Sequence, residues 1–160
     1  MTLREIQAPL KAKYKEQPES ALVTLHAEAI LGANVTAEIK RRNLIAGLHP
    51  ATGGTGEEAC SGDMLLEALA ACAGVTMNAV AQAMGIELKS AKVIADGDID
   101  FRGTLGVSKE VPVGFKNIRL HFDIETEASK EQVASLIKLT ERYCVVFQTL
   151  KNSPELSVSF

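Results

Sequence analysis

Residues 61–84 read Ser-Gly-Asp-Met-Leu-Leu-Glu-Ala-Leu-Ala-Ala-Cys-Ala-Gly-Val-Thr-Met-Asn-Ala-Val-Ala-Gln-Ala-Met, and Gly85 follows. Ala, Leu and Met are strong helix formers, and the run contains no proline. Ser61 or Asp63 can cap its start, while Asp63 and Glu67 sit near the positive end of the helix dipole. Gly85 supplies the stop. Apolar residues lie nearly all round this helix, which predicts a central rather than a peripheral position. Ala68, Ala70, Ala71, Ala73 and Gly74 leave room for another backbone to come close. Met64 to Ala83 has the length of a membrane span, but Glu67, Asn78 and Gln82, and the preference for Ala over Leu or Ile, favour a buried helix.

Downstream, 86–101 reads as a strand with Val93, Ala95, Gly97, Ile99 and Phe101 on one face. A polar connection over 103–114 contains Pro112. The stretch 117–127 reads as a second strand, Ile118, Leu120, Phe122 and Ile124 alternating with Arg119, His121 and Asp123, and the two strands are expected to pair antiparallel. Ser129 with Gln132 three residues on forms a capping box for a helix ending near Arg142. A short helix is expected over 143–150, and a closing strand over 156–160.

Upstream, 2–15 reads as a helix that ends before Gln17-Pro18. Strands over 22–31 and 35–40 flank the turn signal Gly32-Ala33-Asn34 and predict a hairpin. A third short strand is expected over 43–48. The loop His49 to Gly56 is glycine-rich but lacks the Gly-Lys-Ser/Thr ending of a phosphate-binding loop. Helices segregated from hairpin strands define an α+β fold, and the length of 160 residues fits a single domain over 1–160.

Composition narrows the function. The formal charge of −3 and the lack of a basic stripe argue against nucleic acid or a membrane surface as a partner. The N-terminus is charged and lacks the apolar core of a secretory signal, so a cytoplasmic protein is expected. The three cysteines, Cys60, Cys72 and Cys144, are widely spaced and odd in number, which argues against a disulfide framework. Neither a Cys-x-x-Cys nor a histidine pair marks a metal site. The thiols are therefore reduced, and either pack as small apolar groups or react. A reactive thiol needs its thiolate stabilised by a cation or a helix N-terminus. Cys144 has the second if a new helix starts there. Cys72 lies mid-helix and would need a cation, for which Arg41, Arg42, Arg102 and Arg142 are candidates. Cys60, beside Glu57 and Glu58, is read as incidental. Asp63 and Glu67 share a helix face and could form a paired-acid site or simply answer the helix dipole. Asp63 does not lie beneath Cys72 on a straight helix, whereas Thr76, one turn on, does.

The stretches 60–76 and 140–150 resemble the first- and second-cysteine segments of the OsmC/Ohr family, whose members include organic hydroperoxide resistance proteins. Gly97 to Gly103 resembles the strand between them, and the likeness runs over roughly 22–160. The resemblance implies an OsmC-like fold, with antiparallel sheets around long central helices in an intertwined homodimer. It implies a two-cysteine peroxidase acting on organic hydroperoxides. Cys72 would attack, Cys144 would resolve, Asp63 would orient a cation, and a dithiol of lipoyl or thioredoxin type would be the reductant. No metal or other cofactor is implied. Three positions depart from the family pattern. Gly62 replaces a glutamate ten residues before the first cysteine, the activating arginine has no clear counterpart, and Val145 replaces the proline after the second cysteine. These departures keep open a non-enzymatic thiol protein, acting as a redox sensor or binding a small ligand. The apolarity of 64–83 independently points to a second copy covering it.

Overall fold

The computed structural model describes residues 3–22, 24, 29–31, 37–39 and 44–160. Contacts fall into two compact units, Met1–Ile45 and Ala46–Phe160. In the first, α1 (Leu3–Glu16) tolerates Pro9 within its first two turns, and a single 3₁₀ turn follows over Pro18–Ala21. Strands β1 (Ala29–Leu31) and β2 (Ala37–Ile39) pair antiparallel, Ala29 opposite Ile39 and Leu31 opposite Ala37. This is the expected hairpin in shorter form. Leu22 and Thr24 have no regular structure, so the strand expected from Leu22 begins later. The turn at 32–34 and both Arg41 and Arg42 lie outside the described residues.

The second unit carries the core. Strand β3 (Leu44–Gly47) pairs in parallel with β4 (Ala59–Cys60), Ala46 opposite Ala59. Between them the glycine-rich loop makes a 3₁₀ turn over Pro50–Thr52, capped by His49, whose Nδ1 accepts the Ala51 N–H at 3.0 Å. Gly54 is required here, because a Cβ would stand 1.7 Å from the Leu48 carbonyl oxygen.

Helix α2 (Ser61–Met84) has the expected bounds, and Gly85 ends it with φ +67°. Its cap differs from expectation. The chain enters directly from β4, which puts Cys60, in extended conformation, at the N-cap with no side-chain bond, and neither Ser61 nor Asp63 caps. Leu69, Ala73, Met77 and Ala81 recur every fourth residue and form its fully buried stripe. The opposite side is open, with Val75 74% exposed. Within one chain α2 is thus central on one stripe only. Among the described residues it alone has the length and hydropathy of a membrane span, and here its stripe packs into the core.

Strand β5 (Ser90–Asp98) is shorter than expected at both ends, and Phe101 belongs instead to a one-turn helix, α3 (Phe101–Thr104). Asp100 forces that change. Its carboxylate accepts the Arg102 N–H at 3.2 Å and caps the turn. Strand β6 (Asn117–Glu125) pairs antiparallel with β5 along its whole length, Ser90 opposite Glu125 and Asp98 opposite Asn117. Ile118, Leu120, Phe122 and Ile124 turn inward, as the alternation predicts.

Helix α4 (Lys130–Tyr143) starts with the capping box read from the sequence: the Gln132 N–H donates to Ser129 Oγ, and the Ser129 N–H to Gln132 Oε1. Helix α5 (Val145–Lys151) follows after one residue. The strand expected over 156–160 does not form. Leu156 and Val158 are 83% and 95% exposed, and among the described residues no strand runs beside them to take their backbone hydrogen bonds.

The inward faces of β5 and β6, α2 and α4 meet around Met77, Ala81, Ile86 and Leu136, with Phe122 and Ile124 against them. Leu136 is fully buried. Truncating such a side chain removes transfer free energy and leaves a cavity, so Leu136→Ala should cost about 3 kcal/mol. Urea denaturation followed by circular dichroism reads this as a lower midpoint at unchanged slope. A loss below roughly 1 kcal/mol would mean that the neighbouring side chains close the gap.

Candidate functional site

Cys144 joins α4 to α5, and its backbone makes both elements possible. Its N–H closes α4 on the Thr140 carbonyl at 2.9 Å, and its own carbonyl accepts the Gln148 N–H at 2.9 Å, opening α5. Between those bonds its φ of −73° and ψ of 108° are extended, so the helix breaks at this residue. The Gln148 amide donates to the Glu141 carbonyl at 2.8 Å and fixes the angle between the two helices. Thr140, fully buried, keeps its hydroxyl satisfied on the Leu136 carbonyl at 2.8 Å.

The Cys144 thiol is fully buried against Leu69 and Ala73 of α2. Its Sγ accepts the Phe147 N–H at 3.5 Å, which makes it the side-chain cap of α5. Cys72, half-buried and next to Ala73 on α2, belongs to the same cluster. The break turns the first amides of α5 toward it. Burial raises the Cys72 pKa, but the Val146 N–H, the Cys144 thiol, the Val145 N–H and the Thr76 hydroxyl together outweigh burial and bring it below the ordinary thiol value. For Cys144 burial dominates and raises the pKa. The Phe147 N–H works against that, while the Cys72 thiolate reinforces it. Of the two, Cys72 is therefore the thiol that gives up its proton first, while Cys144 holds its own.

This differs from the sequence reading in one respect. A new helix does start at Cys144 and its Phe147 N–H reaches that sulfur, as the reading expected, but Cys72, which cannot use its own helix N-terminus, shares the same one. The cation sought for Cys72 is not found among the described candidates. Arg102 makes two bonds to Asp100, at 2.6 and 2.9 Å, and holds that carboxyl at a pKa of about 2. Arg142 is exposed and lies over the Tyr143 ring at 5.5 Å. The amides of Val145 and Val146 were missed because a backbone group leaves no residue-type signal. The clue was positional, a helix break expected next to a cysteine.

Asp63 is not brought to the thiol pair within the chain. It is exposed in the first turn of α2, nine residues before Cys72 and so about 13 Å along the axis. It lines a separate cleft of about 340 Å³ with Cys60, Gly62, Leu66 and Phe115. Glu67 makes no ion pair among the described residues, which fits an answer to the helix dipole. Among those residues, no three His, Cys, Asp or Glu side chains converge to hold a metal.

An α+β chain whose long central helix holds one thiol against a second, at a break between two shorter helices, defines a two-thiol protein. The family model for OsmC-like proteins matches residues 54–159, and the chain belongs to that family. Three solved structures share the fold. The OsmC-like protein of Mycoplasma pneumoniae is 21% identical with a TM-score of 0.68, over 82% of this chain and 89% of that one. An organic hydroperoxide resistance protein of Legionella pneumophila is 21% identical with a TM-score of 0.63, over 82% and 92%. One from Elizabethkingia anophelis is 20% identical with a TM-score of 0.64, over 83% and 91%. No curated protein matches the chain.

The directions of the two shifts predict an order of reaction. Iodoacetamide should alkylate Cys72 before Cys144, with a pH profile whose midpoint lies below that of a free thiol. The Cys144 thiol favours the Cys72 thiolate, so Cys144→Ala should move that profile to higher pH and slow alkylation at pH 7. Peptide mass spectrometry separates the sites. Labelling of Cys144 first, or a profile unmoved by Cys144→Ala, would contradict the assignment.

Proposed function

We propose that the protein is a thiol-dependent peroxidase that reduces organic hydroperoxides through Cys72 and Cys144. The observation that carries this reading is the asymmetry of the pair: a thiolate favoured on Cys72, with the protonated Cys144 beside it. The Cys72 thiolate attacks the outer oxygen of ROOH, the O–O bond breaks, and with one proton the products are Cys72 sulfenic acid and ROH. The Cys144 thiol then condenses with the sulfenic acid, forming the disulfide and releasing water. An external dithiol, of lipoyl or thioredoxin type, restores both thiols by exchange and leaves as its own disulfide. The organic hydroperoxide resistance proteins among the structural relatives support the choice of substrate.

The reading includes a cytoplasmic setting, a single domain over 1–160, and a homodimer in which a second copy covers the open side of α2. Val75 at 74% exposure leaves that side apolar and uncovered in one chain. One observation favours a second reading, a redox sensor or ligand-binding thiol protein without turnover. Arg102 is bound to Asp100 and Arg142 lies over Tyr143, so neither strengthens the Cys72 thiolate.

One equivalent of cumene hydroperoxide added to the reduced protein should give a Cys72–Cys144 disulfide within seconds. Cys72→Ser should prevent it, and Cys144→Ser should stop at a sulfenic acid trapped by dimedone. Turnover with a dithiol reductant supports the peroxidase. Disulfide formation without turnover supports the sensor, and thiols unreacted after an hour overturn both redox readings. Light scattering tests the dimer, which a monodisperse monomer would exclude.

A further inference from the structure

The cleft at the start of α2 has no part in the chemistry at Cys72, which does not line it. Two glycines make it. Gly62 leaves its floor open: a Cβ there would lie 3.5 Å from Ile99 Cδ1 and 3.6 Å from both Cys60 Sγ and the Phe115 ring. Any longer side chain would fill the space between those three groups. Gly97 lets the Phe115 ring seat as a wall, since a Cβ there would come within 2.4 Å of it. Phe101 also lines the cleft, and its ring stacks on His49 with centroids 4.8 Å apart. His49 is itself fixed, because its Nδ1 accepts the Ala51 N–H. A volume of about 340 Å³ with aromatic and aliphatic walls falls in the range of small-molecule sites.

The charges around it select the ligand. Asp98 is neutralised by two bonds from Arg119, the longer at 2.9 Å. Asp63 makes no ion pair among the described residues, and it lines the cleft. An anion would be drawn to the uncapped amides of α2, but Asp63, in the first turn, already answers that partial positive charge. An organic cation gains from Asp63 for its charge and from the Phe101 and Phe115 side chains for its apolar body. A strongly hydrated inorganic ion would waste the apolar surface.

We propose that this cleft binds a small organic cation, an ammonium group carried on an apolar body. The apolar body lies against Leu66, Phe101 and Phe115, and the charge faces Asp63. Cys60, half-buried in the same cleft, reports occupancy.

The test uses the full-length protein with benzyltrimethylammonium as the probe, at constant ionic strength. N-ethylmaleimide labelling is read separately at Cys60 and Cys72 by peptide mass spectrometry. The probe should slow labelling of Cys60 saturably and leave Cys72 unchanged. Phenylacetate, with a similar ring and the opposite charge, should not protect. Asp63→Asn should raise the half-protecting concentration about fivefold, the worth of one exposed charge contact. Gly62→Leu should abolish protection. Absence of protection in the wild type, equal protection by phenylacetate, or an unchanged half-point in Asp63→Asn would each overturn the proposal. Those three readings do not depend on how Gly62→Leu folds.

Discussion

The break in the helix at Cys144 is the constraint on which the thiol pair depends. Had α4 run on without interruption, the N–H groups of residues 145 and 146 would have been spent on carbonyls of the preceding turn. One extended residue frees them, and the Gln148–Glu141 bond holds the two helices at the angle that turns them toward Cys72. The same residue supplies the second thiol. Its backbone conformation and its side chain are therefore inseparable: replacing the side chain removes the second thiol and the Sγ cap of α5 together.

Burial and dipoles oppose each other at both sulfurs, and the balance differs between them. Cys144 is fully buried, and although the Phe147 and Val146 amides favour its thiolate, desolvation and the neighbouring Cys72 outweigh them. Cys72, only half-buried, faces two amides, a thiol and a hydroxyl, so stabilisation of the thiolate wins. Neither outcome needs a formal charge. This bears on the departures from the family pattern. Gly62 occupies the position of the family's glutamate, and among the described residues no arginine faces Cys72. Backbone dipoles favour the Cys72 thiolate where a carboxylate–arginine pair is missing. What an arginine would add is a charge to meet the peroxide oxygen as the O–O bond breaks, and that distinction separates a reactive thiol pair from an efficient enzyme.

Much of the architecture was legible in the sequence because local signals agreed with the fold. Helix propensity, Gly85 and the apolar density fixed α2, strict alternation fixed β6, and the Ser129–Gln132 pair fixed the start of α4. The misses have physical causes. The strand expected through Phe101 failed because Asp100 bonds its own downstream N–H and starts a turn, a local competition that periodicity does not register. The closing strand failed because alternation at 156–160 describes a strand that needs a neighbour, and a single chain offers none among its described residues. In the site, Cys72 and Cys144 could be named from their contexts. The groups that set their ionisation are mostly backbone amides, which no residue type announces.

The same asymmetry explains the placement of Asp63. The family resemblance gave it a part at Cys72, but a helix rises about 1.5 Å per residue, and nine residues carry it far from the thiol. A side chain in the first turn of a helix faces what lies beyond that end. Here that is the loop at His49 and the aromatic walls of the adjoining cleft. The long central helix thus separates two environments. Mid-helix, cysteine meets amides that favour a negative sulfur. At the N-terminus, where a helix alone would attract an anion, a carboxylate reverses the preference. Gly62, with no side chain among Ile99, Cys60 and Phe115, provides the space for that second environment.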